Sequence, residues 1–215
     1  MRLRYGVVIV GALALLVQQA NADLIGFEKL TNNGNVDVSS QLSVDVTDAG
    51  GGQVDFKFFN NVGIDSSITD IYFDDGTLLG VASIFDSGGG VAFSEGATPP
   101  NLPGGNGADP DFDSTFSADS DPPAAPNGVD SASEWVTIRF NLINGKTFAD
   151  TLAALDDGDL RIGLHVQSIN DAGGQGGSDA YINDPPDDHR VPTPGAALLG
   201  LIGLGLVGRL KRAVA

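Results

Sequence analysis

The sequence predicts an all-β protein, an antiparallel β-sandwich or jelly-roll-like body with one short helix, set between two terminal segments that stand apart from it. Three observations predict this. Apolar residues recur at every second position in four separate stretches, which turns one face of each strand inward and the other outward. Of the 28 acidic residues, only Glu28, Glu95 and Glu134 are glutamate. Aspartate caps local backbone in turns, whereas glutamate favours helices. Thirty glycines and eleven prolines interrupt the chain too often for a helical bundle or coiled coil. The hydrophobic share of 41% across 215 residues is too high for a disordered chain.

In chain order, the first element is an address. Arg2 and Arg4 form a positive start, Gly6 to Val17 an apolar run, and Ala20-Asn21-Ala22 places small residues at alternate positions. This three-part pattern predicts a secretory signal peptide over residues 1–22, cleaved by signal peptidase after Ala22. The apolar run is shorter than the roughly 20 residues of a spanning helix and stops at Gln18 and Gln19.

Residues 23–184 form the acidic β-rich domain. Leu42, Val44 and Val46 predict one strand and Val54, Phe56 and Phe58 the next, with Ala49-Gly50-Gly51-Gly52 turning between them. Ile68 to Phe73 and Thr77 to Phe85 are strands joined by Asp74-Asp75-Gly76, read as a hairpin turn in which Asp75-Gly76 takes positive φ. Residues 86–133 hold seven prolines, from Pro99 to Pro126, and little periodic pattern. They predict a long loop, pinned to the sheet by Val91, Phe93, Phe112 and Phe116.

Val136, Ile138, Phe140 and Leu142 mark the next strand. A helix follows over Thr147 to Leu155, where Phe148, Leu152 and Leu155 share a face, and Asp156-Asp157-Gly158 ends it. Leu160, Ile162, Leu164 and Val166 then predict a strand, as does Ser178 to Asn183. Between them, Gly173 to Asp179 places its aspartate one residue late for the calcium-binding nonapeptide of parallel β-rolls, so it predicts a hairpin loop. Residues 185–190 are a stiff polar spacer.

The last 25 residues read differently. Val191-Pro192-Thr193-Pro194-Gly195 is an extended segment, because proline denies a helical conformation to the residue before it. An apolar stretch from Ala196 to Val207 follows, then Arg209, Lys211 and Arg212. The stretch is short for a bilayer crossing and has no polar face to suit a surface helix of a globular domain. The basic cluster favours the cytoplasmic side. Residues 191–215 resemble the PEP-CTERM sorting signal of Gram-negative bacterial exoproteins. The resemblance implies recognition by an inner-membrane exosortase at Pro192 and Pro194, transient membrane residence through Ala196 to Val207, and topology set by Arg209, Lys211 and Arg212. Thr193 stands where that family usually has glutamate. The resemblance further implies export to the cell surface or extracellular space and an association with exopolysaccharide and biofilm.

Charge narrows the function of the body. The whole chain carries a net −17. Lys29, Lys57, Arg139, Lys146, Arg161 and Arg190 are the six basic residues between the two ends, set against all 28 acids, which leaves that part at −22. Nucleic acid is excluded as a partner, since phosphate needs clustered Lys and Arg. The absence of cysteine excludes disulfides, thiolate metal sites and cysteine nucleophiles.

Asp109, Asp111 and Asp113, with Asp119 and Asp121 beyond, are candidate calcium ligands, because carboxylates in a curved loop can converge with main-chain oxygens on one ion. The EF-hand template fails here, with Ser114 and Ser120 at its glycine and glutamate positions. The alternative is a solvated, self-repelling acidic loop. Paired carboxylates for glycoside hydrolysis cannot be told from chance among so many aspartates. His165 falls on the outward face of its strand and outside any nucleophile motif.

These readings predict a non-catalytic exported surface or matrix protein with extracellular polysaccharide as a partner. The alternative is a calcium-dependent carbohydrate-binding module, or a polysaccharide hydrolase, using Asp86 to Ser133 as its active loop and Trp135, Tyr72 and Tyr181 for sugar stacking.

Overall fold

Period-two alternation decides which face of each strand is buried, and burial in turn decides how the strands associate. The structure, a computed structural model, describes residues 22–183 apart from residues 35, 62 and 171–175. The signal segment up to residue 21, the spacer and the tail lie outside the described residues. Ala22 opens the first strand.

In chain order the strands are β1 (Ala22–Gly26), β2 (Glu28–Lys29), β3 (Leu42–Gly50), β4 (Gln53–Asn60), β5 (Ser67–Asp74), β6 (Leu79–Asp86), β7 (Phe93–Glu95), β8 (Phe116–Ser120), β9 (Val136–Leu142), β10 (Arg161–Asn170) and β11 (Gly176–Ile182). Helix α1 (Ala124–Asn127) follows β8, and α2 (Phe148–Asp157) follows β9. The strands form two antiparallel sheets, ordered β1-β3-β4-β9-β6 and β2-β11-β10-β5-β8-β7. The protein is therefore all-β, with little helix.

The four alternating stretches are β3, β4, β9 and β10. Val44, Val46, Val54, Phe56, Phe58, Val136 and Ile138 of the first sheet are wholly buried against Ile71, Phe73, Ile162, Leu164 and Val166 of the second. Phe73 stands between the sheets, with its ring centroid 5.0 Å from Phe56 and 4.9 Å from Phe140, both edge to face. Such aromatic pairs add about 1 kcal/mol each beyond their buried area. The β3–β4 turn runs through Gly50, Gly51 and Gly52, all at positive φ, so the glycine run at this hairpin has a conformational reason.

Three features differ from the sequence expectation. First, Asp74-Asp75-Gly76 does not close a hairpin, because β5 and β6 lie in different sheets. Gly76 takes positive φ as expected. Asp75, however, is buried, and its carboxylate accepts hydrogen bonds from the Leu79 amide at 2.7 Å and from the Thr115 hydroxyl. These bonds carry the chain across the sandwich.

Second, residues 86–133 are not a plain loop. They contribute β7 and β8, and β8 pairs with β5 inside the second sheet. Strand β8, Phe-Ser-Ala-Asp-Ser, buries only small residues beside Phe116 and so shows no apolar alternation. Of the four pinning residues, Val91, Phe93 and Phe116 pack on the main core. Phe112 joins a second cluster with Tyr72, Ala97, Leu102 and Ala180 on the outer face of the second sheet. There Leu102 sits where a Cβ on Gly163 would have to be, 2.6 Å away.

Third, β5 carries a bulge. Its register against β10 moves from Asp70 opposite His165 to Ile68 opposite Val166, leaving Thr69 over. The extra residue keeps Ile68 and Ile71 both on the core side while Asp70 and Tyr72 face out.

Candidate functional site

Chemistry-bearing side chains gather on the outer face of the second sheet, in one row across three strands. His165 of β10 lies opposite Asp70 of β5, and Asp70 lies opposite Asp119 of β8. Residues directly opposite in an antiparallel pair have neighbouring side chains, so the pairing alone brings them together. Asp70 is buried and Asp119 half-buried. His165 Nδ1 is 2.8 Å from Asp70 Oδ2, and the bulged Thr69 donates its hydroxyl to the same oxygen at 2.9 Å.

Burial pushes the Asp119 carboxyl up to about 6. The Asp70 carboxylate adds repulsion and a hydrogen bond to the protonated form, and Asp121 adds further repulsion. His165 pulls the other way. Tyr72, two residues along β5 from Asp70, has its phenol pushed well above the ordinary range by burial and by Asp70 and Asp119. Its hydroxyl donates to the Pro99 carbonyl at 3.1 Å.

This row sets two carboxyl groups beside an imidazole. In a nucleophilic triad the hydroxyl bonds the ring nitrogen that the carboxylate leaves free. Here Thr69 bonds the carboxylate itself. Asp70 and Asp119 are direct neighbours across one strand pair, whereas glycosidase carboxyls face each other across a cleft that holds the scissile bond.

The sequence-predicted candidates are placed as follows. Asp109, Asp111 and Asp113 are exposed on the segment leading into β8. The Arg161 guanidinium reaches beneath them, donating to the carbonyls of Pro110 at 2.5 Å and Asp111 at 2.6 Å and pairing with Asp74. The Pro110 and Asp111 carbonyls of this turn thus already accept from a cation. Among the described residues no three His, Cys, Asp or Glu side chains converge to hold a metal ion.

Tyr72 and Tyr181 are fully buried, and Trp135 is half-buried with Lys57 Nζ 4.2 Å from its ring centroid. These three rings therefore form no sugar-stacking platform. His165 lies on the outer face of its strand, as alternation indicates. Ala22 pairs with Thr47 at the start of β1. Ala20, Val191, Pro192, Thr193, Pro194, Gly195, Arg209, Lys211 and Arg212 lie outside the described residues. No helix among the described residues is long and apolar enough to cross a membrane.

Asp70 escaped sequence reasoning as a site residue, although one charge within Ile68-Thr69-Asp70-Ile71-Tyr72-Phe73 was a usable signal. Asp119 carried none, since nothing local marks β8 as a strand.

A cleft of about 320 Å³ opens elsewhere, where the start of β5 meets the end of β10 and the segment around α1. No protein-family model matches the chain, and no curated protein or solved structure matches it either.

Proposed function

We propose that this chain is an exported, non-catalytic protein of the bacterial surface or extracellular matrix, an acidic β-sandwich delivered by its two terminal signals. The observation that carries the reading is that the body closes its own core. Residues from Ile25 to Tyr181 fill the space between the sheets, and Phe85 is the one exposed large hydrophobic side chain among the described residues. A body that needs no further apolar segment leaves Ala196 to Val207 free to serve as a handle for export and sorting. Among the described residues, only β3–β4, β7–β8 and β10–β11 are consecutive strands that pair. The other connections cross between sheets, wiring that supports a jelly-roll-like sandwich.

In this reading signal peptidase removes residues 1–22 and an exosortase acts at Pro192 to Pro194, with extracellular polysaccharide as the surrounding medium. The acidic surface keeps the protein soluble among polyanions and collects divalent cations, calcium included, as a diffuse layer. Intact-mass measurement of the mature protein from its native host is the test. Termini at Asp23 and near Pro194 are expected. A mature chain that still ends at Ala215 would make the tail an ordinary anchor and overturn the sorting reading.

A further inference from the structure

We propose that the cleft beside α1 is a binding site for a neutral saccharide, one or two sugar residues of a polysaccharide chain. Its volume of about 320 Å³ lies at the lower end of the roughly 300–1,000 Å³ typical of small-molecule pockets. The floor is already satisfied and rigid. Ser66 Oγ accepts from Asn60 and Gln41 and donates to the Ile64 carbonyl, while Ser67 Oγ donates to the Ala125 carbonyl at 2.7 Å.

The rim is the opposite. Asp65, Ser168 and Asn170 are exposed, line the cleft, and make no side-chain hydrogen bond among the described residues. Their backbone is nevertheless fixed. The Asn170 amide donates to the Asp65 carbonyl at 3.0 Å, and Ser168 takes φ 54 at the β10–β11 register shift. Unspent polar groups on a fixed backbone can bond a ligand without first giving up a bond within the protein.

The ligand class follows from the chemistry of the rim. Asp65 supplies strong acceptors, Asn170 one donor group and one acceptor, and Ser168 both functions. Vicinal hydroxyls, each donor and acceptor, match that mixture. Ala125 and Pro126 give the wall an apolar patch for the C–H face of a sugar ring. No Lys or Arg lines the cleft, and Asp65 and Asp130 both do, so uronates and phosphates are repelled. The site is separate from the Asp70 row and does not depend on processing of the tail, so the two proposals stand or fall independently.

The test titrates the full chain, with a chelator present, against glucose, galactose and mannose oligomers, with oligouronates and spermidine as comparators. At least one neutral oligomer should bind. Asp65→Asn and Asn170→Ala should each weaken it about tenfold with thermal unfolding unchanged. Phe85→Ala, on the outer face of the other sheet, should leave binding intact. Binding of spermidine or oligouronates alone, no binding of any neutral oligomer, or binding indifferent to both cleft variants would each overturn the proposal.

Discussion

At the scale of single residues, the half-buried Asp119 and the buried Asp179 show opposite linkage to pH. Burial and the Asp70 carboxylate push the Asp119 carboxyl up to about 6. The folded chain thus keeps this proton to higher pH than the unfolded chain does. The stabilisation is complete below the ordinary aspartate value and is lost as pH rises through about 6. Asp119→Asn should therefore be more stable than the parent in urea at about pH 7, with the advantage shrinking towards about pH 4. An unchanged pH slope would show that the Asp119 carboxyl is not raised.

Asp179 is the reverse case. Burial acts to raise its pKa, but the Asn33 amide, Lys29, the Thr31 hydroxyl and the Gly34 amide together hold it below the ordinary value. Its stabilisation is present above the unfolded pKa and is lost as pH falls. Lys29 Nζ stands 3.0 Å away, and the Asn33 amide 2.7 Å. Asp179→Ala leaves Lys29 only the Gly34 and Val36 carbonyls and frees the Thr31, Asn33 and Gly34 donors, so denaturant unfolding near neutral pH should show a loss of about 2–3 kcal/mol.

At the scale of elements, α2 is the most local structure in the molecule. Thr147 caps it, accepting from the Asp150 amide at 3.3 Å, while Asp150 accepts from the Thr147 amide at 2.7 Å. Gly158 ends it at φ 76. All three positions can be read in the sequence as a helix start and stop. Thr147→Ala should cost about 1 kcal/mol in urea unfolding, and Thr147→Ser little. The β5–β6 connection shows where such reading fails. An in-sheet hairpin and a cross-sheet turn can both use an aspartate followed by a positive-φ glycine. What separates them here is the bond from Thr115 to Asp75, 40 residues apart in the chain.

At the scale of the whole molecule, the charge of −22 between the two ends opposes compaction. Screening that repulsion should raise the thermal midpoint between about 10 mM and about 500 mM sodium chloride, and a flat or falling response would contradict it. Composition and alternation by themselves determined the all-β class, the inward faces of β3, β4, β9 and β10, the single longer helix, and the acidic surface. These rest on local periodicity and on the charge of the chain, both complete in the sequence. Tertiary structure alone decided which sheet each strand joins, that β8 is a strand at all, and that Asp70, Asp119 and His165 share a row. It also decided that Asp65, Ser168 and Asn170 face one cleft. Each of these depends on which distant segment supplies a strand's hydrogen-bond partners, and neighbours in sequence do not encode that choice.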